Sequence, residues 1–522
     1  MTAWLRRYPL AAFLPLEALL YCWNLAEFAP WGDEAGTLLA VRGPLGSLIR
    51  FAAHDVHPPL YYLFLYYWQH IPLGIDWAVQ ARLLSVLFAL LATVALDQLW
   101  GAHLEERARL TLLALWTLSP CLLLYARMCR SYSLQALLAI VATAWLSRAA
   151  AKSTWRNGAV LALALLAALY THYAAGIALI ATANLTLLYR WRKIGRRTQR
   201  VPRLPHLIAT ALAIDCAIAI GYLPWIWRLA ASLTSWGSSG RNYTLTGSRV
   251  LEVPVKFAYW SMSFVMGEAV PDWLLVPGAL LLPLLAAVAW RGARRSPEVA
   301  WLAAALGAIG FIGVARWVSY PFVPARMLFV LPFFLLLVAQ GAARGTAHGE
   351  TQEANGWRWG SLVVGAMLLL SLSGIWCYFH TTGFRNKQYP MPMREIAGRI
   401  LGDSPAPESA ILVDSTNSDP VALAYALHGQ RPCLWTGMAE TPAALTRLLA
   451  DPRIRTVWFL RNTHDASPAG LNGQFEARLR PGMVETVHSY QPYTPLERML
   501  MDTLRGTHET PRYFHELLEF RR

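Results

Sequence analysis

Charge is scarce in this sequence. Asp, Glu, Lys and Arg together supply 15% of 522 residues, against about 25% in an ordinary soluble domain. With 56% hydrophobic residues and a mean hydropathy of +0.34, that scarcity excludes a soluble globular chain and points to a polytopic membrane protein. Acidic residues are scarcer still, 31 against 46 basic ones, for a net charge of +15. Such a balance admits a nucleic-acid partner. Most of the basic residues, however, fall in short connectors between apolar runs, where they set topology, so no nucleic acid is expected. Cysteine is rare: Cys22, Cys121, Cys129, Cys216, Cys377 and Cys433 show neither CxxC nor Cys/His spacing, which excludes a disulfide framework and a zinc site of that kind. GxGxxG and Walker loops are absent, so no nucleotide is assigned. There is no long repeat and no low-complexity segment. The apolar run after Arg6 and Arg7 lacks a small-residue cleavage site and reads as a retained helix.

Aromatic residues, by contrast, are plentiful. Twenty-three Trp and 21 Tyr suit a chain with many membrane–water interfaces. A helical span needs about 20 apolar residues. Runs of that kind lie near 9–29, 77–100, 108–126, 131–147, 157–171, 173–189, 206–227, 273–290, 298–315, 326–342 and 358–379, about eleven spans in all. The dense basic connectors 148–156, 190–203 and 291–296 then share one side with Arg6, Arg7 and "EERAR" (105–109), the cytoplasmic side. The opposite, outer side receives connectors 30–76, 228–272 and 316–325. In the first of these, 42–54 has the apolar spacing of an interfacial helix, and "PPLYYLFLYYWQHIP" (58–72) reads as an interfacial or re-entrant segment. The 228–272 connector reads as an aromatic-rich loop. After about residue 385 the text turns to a β-α-β-α-β run: a buried strand followed by a loop over 408–419, helix 420–429, strand 431–435, helix 441–451 and strand 455–462. The predicted organisation is therefore a transmembrane domain over 1–384, containing the long first outer loop 30–76, followed by a small outer α/β domain over 385–522.

The chemistry gathers on the outer face. "WGDEA" places Asp33 and Glu34 side by side; on a helix they point about 100° apart, so they need not share a role. Read blandly, they form an acidic first turn favoured by the helix dipole. "HDVHPPLYY" presents His54, Asp55 and His57 from a stiff Pro-Pro corner of the same loop. His-x-x-His with a carboxylate would make a metal site; hydrogen bonding within the loop or to a polar substrate is the competing reading. "LLLYARMCRSYSLQALL" sets Arg127 and Arg130 at an outer boundary, with Arg82 opening the second span on the same side. Outer arginines snorkel to headgroups or fork onto phosphate. Arg316 and Arg326 lie on that face too, and one of them is expected to neutralise an acidic partner. His172-Tyr173 reads either as a cavity wall or as an interfacial anchor. Together these groups offer a general base and cations for a leaving phosphate. Because nucleotide sugars are made in the cytoplasm, an outer-face transferase needs a membrane-delivered donor, and a polyprenyl-phosphate sugar has that form.

At these residues the sequence resembles the GT-C superfamily of integral-membrane glycosyltransferases, above all the bacterial branch related to protein O-mannosyltransferases and lipid A aminoarabinose transferases. The matching text is "WGDEA" (31–35), "HPPLYYLFL" (57–65), "ARLLSVLFALLATVAL" (81–96), "SPCLLLYARMCRSYSLQALLA" (119–139), "LYTHYAAG" (169–176) and "PARMLFVLPFFLLLVA" (324–339), in the family's order. The resemblance implies an outer-face cavity and an inverting displacement from a polyprenyl-phosphate sugar, with Asp33 as base and Glu34 in support. It places Arg130 at the donor phosphate; Arg127, Arg82, His57, His54, Asp55, Tyr132, His172 and Arg326 complete the candidate binding set. Cys129 before Arg130 departs from the commoner family text and leaves Arg127 as a competitor. The acceptor expected is a lipid, glycan or protein of the cell envelope, and the location a bacterial inner membrane, with active site and C-terminal domain periplasmic. No cofactor is expected; a divalent metal is the alternative. A lipid or glycan flippase is the competing function. Its usual internal repeats and midplane charges are missing here.

Overall fold

The structure is a computed structural model that describes residues 8–54, 57–197, 204–230, 249–317, 323–343, 350–403, 408–415, 419–463, 471–505 and 511–522. Asp55 therefore lies outside the described residues, as do Arg6 and Arg7. The chain forms two compact units.

The first unit takes residues up to Leu25, Ala40–Thr244 and Val250–Gly383. It is a helical bundle. Its elements are α1 (Leu10–Cys22), α2 (Gly32–Arg42, shared with the second unit), α3 (Leu45–His54), α4 (Leu60–Gln69), α5 (Trp77–Leu99), α6 (Glu106–Thr117), α7 (Pro120–Ala126), α8 (Tyr132–Ala151), α9 (Trp155–Thr171), α10 (Tyr173–Arg197), α11 (Leu204–Ala230), α12 (Arg249–Met266), α13 (Asp272–Arg295), α14 (Pro297–Trp317), a 3-10 helix (Pro324–Val330) running into α15 (Leu331–Ala342), and α16 (Glu350–Phe379). This is a polytopic helical membrane protein. Among the described residues six helices are long and apolar enough to cross a membrane, and the pair α6–α7 makes a seventh if its halves count as one span. Leu10–Cys22, Trp155–Thr171 and Pro297–Gly313 are apolar but shorter.

Two departures from the sequence reading have plain causes. The run 108–126 is not one rod: α6 and α7 meet at 49°, because Ser119 Oγ accepts from Leu122 N at 3.2 Å and Pro120 opens a new helix there. The 228–272 connector is not all loop, since α12 occupies its second part; Pro254 sits inside that helix and disguised the pattern. Helix contacts use small residues, as membrane bundles do. Where α13 meets α15, a Cβ on Gly292 or Gly341 would run into the opposite backbone, Leu337 O or Val288 O. Arg295 Nη1 closes the end of α15 by donating to Gln340 O and Ala343 O, both at 2.7 Å. Arg109 grips the buried Asp97 bidentately, both bonds 2.6 Å, tying α6 to α5.

The second unit comprises Ala26–Leu39, Leu245–Arg249 and Phe384–Arg522. Its elements after residue 384 are α17 (Met393–Asp403), β1 (Ser409–Val413), α18 (Asp419–Ala426), β2 (Leu434–Trp435), α19 (Thr441–Ala450), β3 (Thr456–Asn462), α20 (Leu471–Leu479), β4 (Val484–Pro492), α21 (Pro495–Arg505) and β5 (Tyr513–Arg521). The sheet order is β2-β1-β3-β5-β4. β1 runs parallel to β2 and β3, while β5 runs antiparallel to β3 and β4. One side of the sheet buries Leu412, Val457, Phe459, Leu518 and Phe520 against Leu445, Phe475 and Leu479. The predicted β-α-β-α-β run is β1 to β3. The antiparallel half was not read, because β4 is largely exposed and β5 carries His515, Glu516 and Glu519 among its apolar residues.

Candidate active site

Arg130 sits in the short turn between α7 and α8, and the first unit fixes it from several directions. Ser85 Oγ on α5 donates to Arg130 O at 3.1 Å, and that hydroxyl lies 2.7 Å from Tyr61 Oη on α4. The guanidinium faces back toward α4: Nη2 is 2.8 Å from His57 Nε2 and Nη1 is 3.4 Å from Tyr62 Oη. Arginine can only donate, so His57 Nε2 accepts and the ring proton lies on Nδ1. The Tyr132 ring stands 6.0 Å from Arg130 Cζ. Arg130 is buried, which makes each of these bonds count for more than it would at a wet surface.

His172 closes the connector between α9 and α10. Its Nδ1 accepts from Ala175 N at 3.4 Å. Loss of hydration lowers its pKa to about 3, and the neighbouring charges of Arg326 and Arg130 push the same way. His172 is therefore neutral at working pH, within electrostatic reach of two guanidiniums and a second imidazole. Arg326 arrives on the 3-10 helix, which Gln135 of α8 pins by donating to Ala325 O. Its Nη1 is buried and has no hydrogen-bond partner among the described residues. A buried, unanswered guanidinium nitrogen is costly, and a phosphate oxygen would satisfy it. The structure thus brings together four residues scattered through the sequence: His57, Arg130, His172 and Arg326.

The other predicted residues stand elsewhere. Arg127 Nη1 donates to Leu20 O, Tyr21 O and Trp23 O, and Nη2 to Asn24 O, at 2.6 to 3.1 Å; Nε donates to Tyr378 Oη at 2.9 Å. Its fork already caps the end of α1. Arg82 Nη1 donates to Leu25 O at 2.9 Å. His54 Nδ1 folds back to Arg50 O at 2.8 Å on its own helix and is exposed. Asp33 and Glu34 open α2 within the second unit, Asp33 exposed and Glu34 buried. Arg42 at the other end of α2 lies over the Trp77 ring at 3.8 Å. Among the described residues, no group of three or more His, Cys, Asp or Glu is arranged to hold a metal.

Sequence reading missed Glu268. It is buried in the connector between α12 and α13, accepting from Tyr125, from Tyr259 and, at 3.5 Å, from Ser263. Burial pushes its carboxyl up to about 7 despite those three donors. Tyr125 also packs edge-on to Tyr132 at 5.3 Å. Glu268 therefore braces the α7 segment that leads into Arg130. Nothing local marks it, because Tyr125 is 143 residues away in the chain.

The first unit is thus a helical membrane bundle that gathers two arginines and two histidines. Compared with solved structures, the chain shares its fold with ArnT from Cupriavidus metallidurans in the apo state, at 12% identity and TM-score 0.56 over 99% of this chain and 98% of that one. The same enzyme bound to undecaprenyl phosphate matches at 13% identity and TM-score 0.53, over 98% and 97% of the two chains. An Archaeoglobus fulgidus oligosaccharyltransferase tethered with an acceptor peptide gives 11% identity and TM-score 0.45, over 88% and 70%. No protein-family model matches the chain, and no curated protein does.

Proposed function

We propose that this chain is an inverting glycosyltransferase of the GT-C type. It moves a sugar from a polyprenyl-phosphate donor to a lipid, glycan or protein acceptor on the outer face of a bacterial inner membrane, with its second unit on that face. The observation that carries the reading is the buried Arg326 Nη1, which has no hydrogen-bond partner among the described residues, with Arg326, Arg130 and His57 all within electrostatic reach of His172. The shared fold with a protein crystallised with undecaprenyl phosphate supports the same ligand class.

In this reading the acceptor oxygen attacks the anomeric carbon while the bond from that carbon to the phosphate oxygen breaks. The electron pair leaves with the polyprenyl phosphate, whose negative charge grows from one toward two. Arg130 and Arg326 bind that developing dianion more tightly than the diester, which is the differential binding that speeds the step. His57, accepting from Arg130, holds the guanidinium plane, and neutral His172 adds no competing proton. The acceptor proton goes to a carboxylate. Asp33, exposed at the start of α2, is the proposed base, with Glu34 in support. No metal enters the scheme.

The test is turnover of an undecaprenyl-phosphate-linked sugar by purified protein, with mass spectrometry of envelope lipids and glycans to find the acceptor. Asp33→Asn abolishes transfer while expression and membrane insertion persist. Turnover near the wild-type rate in that variant removes Asp33 from the base role.

A further inference from the structure

The second unit contains a route from its sheet to the acidic turn of α2, and it begins at a strained residue. Gln491, near the end of β4, has φ +54, a left-handed conformation that costs a non-glycine residue about 1 kcal/mol or more. Its side chain explains why the strain persists. The amide nitrogen donates to Lys387 O at 2.8 Å and to Pro390 O at 2.9 Å. That orientation makes the amide oxygen an acceptor, 2.9 Å from His515 Nδ1 on β5. His515 is fully buried, and its Nε2 lies 3.3 Å from Asp419 Oδ2 at the start of α18. Gln491 thus ties the 387–390 turn to the core of the domain. Glu497 on α21 secures the same segment, 3.3 Å from Arg385 and 3.2 Å from Lys387.

Within that turn, Tyr389 is buried and meets the Trp31 ring edge-on at 4.9 Å. Trp31 immediately precedes α2, and its carbonyl accepts the first helical bond, from Ala35 N at 2.8 Å. Phe384 meets Phe28 at 5.9 Å, and Arg394 donates to Ala26 O. From these contacts we propose that Gln491 and Tyr389 are positioning residues: through Trp31 they set where α2 begins, and therefore where Asp33 and Glu34 point. The catalytic half of this proposal rests on the function proposed above. The C-terminal domain then holds the acidic pair in place, a task distinct from recognising an acceptor.

Two disrupting variants and one conservative control test it. Tyr389→Ala removes the ring that braces Trp31, and Tyr389→Phe keeps it. Gln491→Gly removes the amide while relieving the left-handed strain, so the backbone is not penalised. In full-length protein in detergent, hydrogen exchange of the α2 amides over 34–39 is read alongside kcat and the affinity for undecaprenyl phosphate. We expect faster exchange in Tyr389→Ala and Gln491→Gly and a fall in kcat of about tenfold to a hundredfold, the scale of an ångström's misplacement. Donor affinity stays within about twofold, and Tyr389→Phe behaves as wild type. Unchanged α2 exchange in both Tyr389→Ala and Gln491→Gly overturns the relay, and so does faster exchange with unchanged kcat. If the wild-type protein transfers no sugar at all, the function proposed above fails while the exchange result still decides whether the relay exists.

Discussion

At the scale of single residues, the sequence offered candidates without the means to rank them. Arg127 and Arg130 are three positions apart and look alike in the text. The structure separates them by what each touches, four backbone carbonyls and Tyr378 for Arg127, and a histidine with a tyrosine for Arg130. Their difference comes from the turn after α7, which no short-range pattern encodes. Glu268 is the residue with the clearest pH signature. Between pH 4.5, its ordinary value, and about 7, the native state keeps a proton that the unfolded chain has released. Stability therefore falls as pH rises through that window, by roughly 3 kcal/mol in all. Glu268→Gln flattens this dependence. Melting temperature in detergent from pH 4.5 to 7.5 checks it, and an unchanged slope in the variant rejects the assignment.

At the scale of elements, apolar runs and capping residues located most helices, because length and hydropathy are local properties. Breaks and close approaches were less visible. Ser119-Pro120 is a helix start written in the sequence, but the apolar text on both sides masked it. The Gly292–Gly341 contact joins residues on α13 and α15 that only the folded bundle brings together. A methyl there forces two backbones apart, so Gly292→Ala lowers stability by about 2 kcal/mol or more. Thermal unfolding in detergent reads this directly; a melting temperature equal to wild type refutes the close approach. In the second unit, β1 and β3 were legible as buried apolar strands. β5 was obscured by His515, Glu516 and Glu519, and charges in a central strand become intelligible once Arg461 is seen 2.9 Å from Glu516.

At the scale of the whole molecule, the chain places a cluster of arginines and histidines in one unit and the acidic start of α2 in the other. His57, Arg130, His172 and Arg326 were each named from local text, yet their meeting depends on α4, α8, α10 and the 3-10 helix packing together. That cluster carries the central claim, that this protein binds a lipid-linked phosphate. Each charge-assisted bond to phosphate contributes about 1.5–3 kcal/mol, on the order of tenfold to a hundredfold in affinity. The direct measurement is the affinity of purified protein for undecaprenyl phosphate by native mass spectrometry, wild type against Arg326→Ala and Arg130→Ala. The account predicts binding by the wild type and at least a tenfold loss in each variant, with the bound fraction falling as inorganic phosphate is added. Equal affinity in all three proteins would contradict it.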